Sequence, residues 1–197
     1  ADYMSSMPKF MLTLLDMSMR HADADWYFVL GDDNFVVPQH LPRVLQGLDS
    51  SERIIAGGPL GQHLGLGNYP SGGSGILFSK GFMKAARLHM IPFAVSWIAQ
   101  RGKRNLCHPC GDIAFGNLAK DIGASVVELQ CMHGMWPEYF SLHQSDALPW
   151  CASVVGVAPQ SRVNCGDPVC FHYVQPRAME LLHHYFSVHR GASSTAI

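Results

Sequence analysis

Asp32 and Asp33 stand side by side at the end of WYFVL, residues 26 to 30, an unbroken aromatic and aliphatic run. Two like charges about 4 Å apart repel by roughly 4 kcal/mol at an effective dielectric near 20, so the pair needs open water or a counter-charge. Open water makes it a solvated turn or a helix cap. A counter-charge makes it a set of oxygen donors for a hard divalent cation such as Mg²⁺ or Mn²⁺, which keeps coordination positions for substrate phosphates. In α/β sheets ligands gather beyond the carboxyl ends of strands, and the pair sits at such an end. Asp112 begins a second pattern, GDIAFGNLAKDIG. There the positive end of a helix dipole favours an ionised carboxylate, whether for chemistry or as an ordinary first-turn acid. His172 lies within VCFHYV, either as a hydrogen-bonded core residue or as a ligand.

Two further stretches carry chemistry-bearing types. Residues 57 to 75, GGPLGQHLGLGNYPSGGSG, form neither a Walker phosphate loop nor a GxGxxG turn before a helix. Their YPSGGSG end offers bare backbone that a bulky polar ligand can approach closely, or it is simply a tight turn. CHPC at 107 to 110 precedes the Asp112 helix, where a dipole can lower a thiol pKa, and Cys131 with His133 would complete four zinc-type ligands. Neither a redox nor a zinc module is favoured, because no Trp precedes the first Cys and CxH is an unusual second half for a zinc site. Structural disulfides suit the six cysteines better. All six lie in the C-terminal half, an even number that leans toward an oxidising compartment.

The elements that must position these residues follow from periodicity. Met4, Met7, Met11, Leu14, Leu15 and Met19 recur at helical spacing within residues 2 to 20 and predict a core-packing helix. WYFVL reads as a strand buried on both faces. Residues 38 to 48 suit a short helix, 53 to 57 a strand, and 57 to 75 a loop too rich in glycine for helix or strand. Residues 76 to 79 read as a strand, and 80 to 90 and 111 to 123 as amphipathic helices, the second closed by Gly123. Strands at 125 to 129 and 169 to 174 and a helix over 176 to 189 complete an α/β layer pattern. Residues 130 to 167 read as an ordered lid or substrate-facing excursion, and the last seven residues as a frayed tail.

With 48% hydrophobic and 15% charged residues in 197, the chain can bury one sizeable core. A net charge of −1 gives no sign of the clustered basic footprint of a nucleic-acid partner; the nearest approach, RGKR at 101 to 104, reads as a solvated turn. No apolar run approaches the roughly 20 residues that span a bilayer.

Taken in order, five segments resemble the inverting β1,3-glycosyltransferases that include fringe and the core 1 galactosyltransferase (T-synthase). ADWYFVLGDDNFVV is similar to that family's strand and Asp-rich metal motif, and PSGGSGILFSK to its SGGAG-type segment. CGDIAFGNLA resembles its acidic helix start, MHGMWPEYF its aromatic and proline segment, and CFHYVQPRAMELL its late strand and helix. The resemblance implies a GT-A type fold, a Rossmann-like mixed sheet flanked by helices. It further implies Mn²⁺ (or Mg²⁺) on the diphosphate of a UDP-sugar, and transfer of a hexose or N-acetylhexosamine to a hydroxyl of a glycan or glycoprotein.

Carried over, Asp33 is the direct metal ligand, Asp32 its neighbour toward metal and donor, His172 the second protein ligand and Asp112 the base. Gly72, Gly73 and Ser74 fall at the donor, and Trp136, Glu138 and Tyr139 at the acceptor. Gly31 stands where the family carries a first acidic residue, and Gly111 where it carries Glu. The resemblance covers residues 1 to about 190 and only the later part of the family domain. The expectation is therefore the metal- and acceptor-binding part of one GT-A domain, lacking the N-terminal nucleotide-binding half and followed by a tail over 191 to 197. The family also implies the Golgi or ER lumen, as a type II membrane protein whose anchor is absent from this chain, or secretion, with homodimerisation open. Two alternatives stay beside it: a non-catalytic glycan-binding or chaperone-like member of the same fold, and an unrelated CxxC redox or zinc module.

Overall fold

Met7, Met11 and Leu14 form the buried stripe of helix α1 (Ser6–Arg20). The computed structural model that places them describes residues 6–63, 65, 67–100, 110–129, 131–132 and 168–188. After α1 come β1 (Trp26–Val29), β2 (Phe35–Val36) and the single-turn helix α2 (Leu41–Val44). The expected helix over 38 to 48 is broken up, with a 3₁₀ turn at Pro38–His40 before α2. Pro38 and Pro42 supply no backbone N–H, and Gly47 takes a left-handed φ of +87° that ends the segment.

The chain continues through β3 (Ile54–Gly57), β4 (Leu60–His63), β5 (Gly67–Pro70) and a 3₁₀ turn at Gly72–Ser74. It then enters β6 (Ile76–Ser79), α3 (Lys80–Ala86), α4 (Met90–Ala99), α5 (Gly111–Asp121), β7 (Ser125–Glu128), β8 (Cys170–Phe171) and α6 (Pro176–Val188). The stretch from 57 to 75, expected to be irregular, contains the β4–β5 hairpin. Gly61 pairs with Tyr69, whose ring fills the space a Gly61 side chain would take, so an aromatic covers the glycine that weakens the strand. Gly65 and Gly67, with φ of +80° and +91°, supply the turn.

The helix expected over 80 to 90 stops at Ala86, and α4 follows as a separate helix. Its sequence MIPFAVSWIA is apolar all round and lacks the alternation that marks a surface helix, while Pro92 falls in the first turn, where its missing N–H costs little. VCFHYV forms a strand only at Cys170–Phe171, because Tyr173 takes a φ of +55° and ends the extended run.

The main sheet is mixed, with order β1-β6-β3-β7. β6 runs antiparallel to both neighbours, setting Trp26 opposite Ser79 and Val29 opposite Ile76, and β3 runs parallel to β7 from Ile54 and Ser125 onward. β2 pairs with β8 antiparallel, Phe35 opposite Phe171. One face of the sheet packs Tyr27, Ile55 and Phe78 against α1, α3 and α5 through Met7, Phe82 and Phe115. The other packs Ala56 and Leu77 with Leu129, Val169 and Cys170. A third cluster, Val37, Phe171, Val174 and Leu182, fixes α6 beside β2 and β8. The architecture is thus α/β, a mixed sheet flanked by helices. Among the described residues no helix is long and apolar enough to cross a membrane.

Cys110 and Cys131 are disulfide-bonded, whereas Cys170 keeps a buried thiol. The six cysteines therefore do not close three bridges. The thiol donates to Ser74 O at 2.7 Å, tying β8 to the glycine turn.

Candidate functional site

β1 is not buried on both faces as expected: it is an edge strand of the main sheet, with only Tyr27 fully buried. It delivers its acidic pair into the turn before β2. Asn34, itself buried, holds that turn. Its Oδ1 accepts from Gly31 N at 2.8 Å, and its Nδ2 donates to Gly73 O at 2.7 Å and to Phe171 O at 3.3 Å. One amide therefore joins the acidic turn, the glycine turn and the end of β8. Val174 N adds a bond to Asp33 O at 2.9 Å, so the segment carrying His172 is fixed on both sides.

Within this frame Asp33 and His172 meet, with Oδ2 and Nε2 3.4 Å apart. The imidazole is 15% exposed and the carboxylate 44%. Gly73 lies against the ring, since a Cβ built there would fall 2.5 Å from His172 Nδ1. Gly72 lies against Asp112: its N–H donates to Oδ2 at 3.1 Å, while Ile113 N donates to Oδ1 at 2.8 Å. The helix start thus presents Asp112 through the dipole and one of its own N–H groups, with the glycine turn supplying the second donor. Asp33, His172, Gly73, Gly72 and Asp112 form one continuous wall. They line a cavity of about 580 Å³ with Asp32, within the range of small-molecule sites. Its apolar side comes from Phe10, Ile76 and Phe115, and Tyr173 stacks on His172 with ring centroids 3.7 Å apart.

A separation of 3.4 Å is long for a direct N–H···O bond, which prefers 2.7 to 3.2 Å. It suits two donors sharing one small cation. An imidazole and a carboxylate are a donor pair that Mn²⁺ accepts, and Mg²⁺-type sites use one or two protein ligands and leave the rest to phosphate and water. Among the described residues no group of three or more His, Cys, Asp or Glu side chains encloses a metal. The donor chemistry fits a cation that substrate completes, not a closed structural site.

Four placements differ from the sequence reading or extend it. Ser74 does not line the cavity: it is fully buried, its hydroxyl lies 2.9 Å from Ser71 O, and it accepts from Gly58 N at 3.2 Å, so it braces the turn. Gly31 is packed, since a Cβ there would fall 2.8 Å from Asp33 Oδ1 and an acidic side chain would displace the Asp33 carboxylate. At Gly111 a Cβ would come 3.3 Å from Phe10 Cδ2, so the α1 aromatic occupies the space beside it. Asn34 was not anticipated, although a third polar residue directly after two aspartates is the signal that could have found it. Trp136, Glu138 and Tyr139, expected at the acceptor, lie outside the described residues, as do Cys107 and His133. The disulfides at Cys110 and Cys131 remove two of the four thiolate or imidazole ligands that a zinc module would need.

Tyr69 packs on the same helix, where an added Cβ at Gly116 would fall 2.5 Å from its own. Burial raises its phenol pKa above the ordinary 10.0, and the nearby Asp112 carboxylate raises it further.

No protein-family model matches the chain, and no curated protein matches it in sequence.

Proposed function

We propose that this chain is the metal- and acceptor-binding part of an inverting, divalent-cation-dependent glycosyltransferase of GT-A type. It moves a hexose or N-acetylhexosamine from a UDP-sugar to a hydroxyl of a glycan or glycoprotein, in β1,3 linkage. One observation carries the reading. A carboxylate and an imidazole 139 positions apart in the sequence meet at a cavity whose same wall carries, past two glycines, a carboxylate on a helix start.

Each residue then has a task. Asp33 and His172 would hold Mn²⁺ or Mg²⁺, which would offset the charge of the diphosphate and of the leaving group. Gly72 and Gly73 present backbone without side chains, so the donor sugar lies close to both carboxylates. Asp112 takes the proton of the acceptor hydroxyl as the new glycosidic C–O bond forms and the bond from the anomeric carbon to phosphate breaks, releasing UDP. Its two N–H partners orient it and leave lone pairs for that proton. Asn34 keeps the two glycines and His172 in register.

The test is Mn²⁺-stimulated release of UDP from a UDP-sugar by the complete protein. Asp33→Ala and Asp112→Asn each lower turnover by about 10²-fold or more. Wild-type turnover in either variant removes that residue from its role. The non-catalytic reading draws support from Gly31, which stands where the family carries its first acidic residue, and calorimetry separates it, since glycan binding without any UDP release would favour it.

A further inference from the structure

Tyr173 takes a left-handed φ of +55°, a conformation that a residue with a bulky side chain rarely adopts and that glycine or asparagine takes readily. Core burial does not account for it. Tyr173 is 44% exposed and, among the described residues, belongs to none of the three core clusters. Its neighbours are fixed on either side: His172 faces Asp33, and buried Val174 donates its N–H to Asp33 O at 2.9 Å.

That φ also decides where the ring goes. In an extended run consecutive side chains point to opposite faces, so His172 and Tyr173 would part. At +55° both line the same cavity, with ring centroids 3.7 Å apart and planes 31° from parallel. The imidazole is then bounded on two sides. Gly73 lies at its Nδ1 edge, where a Cβ would fall 2.5 Å from that atom, and the phenol ring covers a face. Nε2 stands 3.4 Å from Asp33 Oδ2. A metal-ligating imidazole binds best when its neighbours have already set its orientation, because ordering it on binding costs affinity.

We propose that Tyr173 is a positioning residue for the imidazole donor, its ring holding His172 in the orientation that shares a divalent cation with Asp33. The inference rests on the reading of those two side chains as cation donors. A strained tyrosine is kept for its ring, since glycine would make the turn more easily.

Mn²⁺ binding to the purified full chain, followed by electron paramagnetic resonance with spin-echo detection of nitrogen coordination, tests this. Tyr173→Gly accepts the left-handed turn, so circular dichroism and the urea midpoint stay at wild-type values. Its Mn²⁺ affinity falls about tenfold, and the imidazole nitrogen modulation weakens. Tyr173→Asn, a second residue without a ring that tolerates the same φ, behaves alike. Tyr173→Phe restores both affinity and modulation. Wild-type affinity in the folded glycine or asparagine variant overturns this inference alone, as does a tenfold loss in Tyr173→Phe. A wild-type chain that takes up no Mn²⁺, or takes it up without nitrogen modulation, overturns the cation reading and this inference with it.

Discussion

At Gly73 a hydrogen atom stands where any other residue would put a carbon 2.5 Å from His172 Nδ1. Gly73→Ala therefore pushes the imidazole away from Asp33 and lowers Mn²⁺ affinity by about tenfold, a loss of the size seen when a partner that orients a ligand is removed. Titration of bound Mn²⁺ by electron paramagnetic resonance measures it, with Gly72→Ala as the comparison, since its Cβ would sit at an ordinary 3.4 Å from Asp112. Equal affinity in the two variants would detach Gly73 from the Asp33–His172 contact. Tyr69 reports on the Asp112 end of the site. Its pKa is raised in the fold, so the neutral phenol is favoured there. The resulting stabilisation is fully present below pH 10.0 and is lost as pH rises through the folded value. Asp112→Asn removes the second cause and moves the tyrosinate absorbance titration to lower pH, with Tyr69→Phe identifying the band; an unmoved curve would deny the coupling. Asp33, Asp112 and His172 could be singled out from their types and neighbouring patterns, each with an ordinary structural reading beside it, and the fold brings the three to one cavity. Asn34 could not be, because its value comes from two carbonyls that only the folded chain brings to it, one of them 137 positions away.

Among the elements, the strand ends decide what the sheet can hold. Ser79 closes β6 and begins α3, accepting from Phe82 N and Ile54 N at 3.0 Å each and donating to Glu52 O at 2.5 Å. It is fully buried, so Ser79→Ala loses a helix cap and leaves a strand N–H without its partner, a cost of about 2–3 kcal/mol. Urea unfolding measures the loss; the cavity lies elsewhere, so Mn²⁺ affinity stays unchanged. The runs behind β1, β3 and β6 and the patterns behind α1 and α5 were readable because burial had already selected their side chains. The β4–β5 hairpin was hidden because its stability comes from Tyr69 lying over glycines, a cross-strand effect absent from local propensity. α4 was hidden by its uniform apolarity, which carries no periodic signal.

Across the whole molecule, two clusters sandwich the mixed sheet and a third secures the last strand and helix. The layer class followed from the alternation of strands and helices. The pairing did not, because β6 enters antiparallel between β1 and β3 and nothing in a single apolar run states its neighbours. The short β2–β8 pairing matters beyond its size, for it joins residues from the first and last portions of the chain. A polypeptide released from the ribosome before Pro168 would contain every strand of the main sheet and the complete acidic turn, yet have no imidazole to set beside Asp33. The proposed ligand pair cannot form until the chain has been made through His172, so a product terminated earlier would lack it whatever scaffold it assembles.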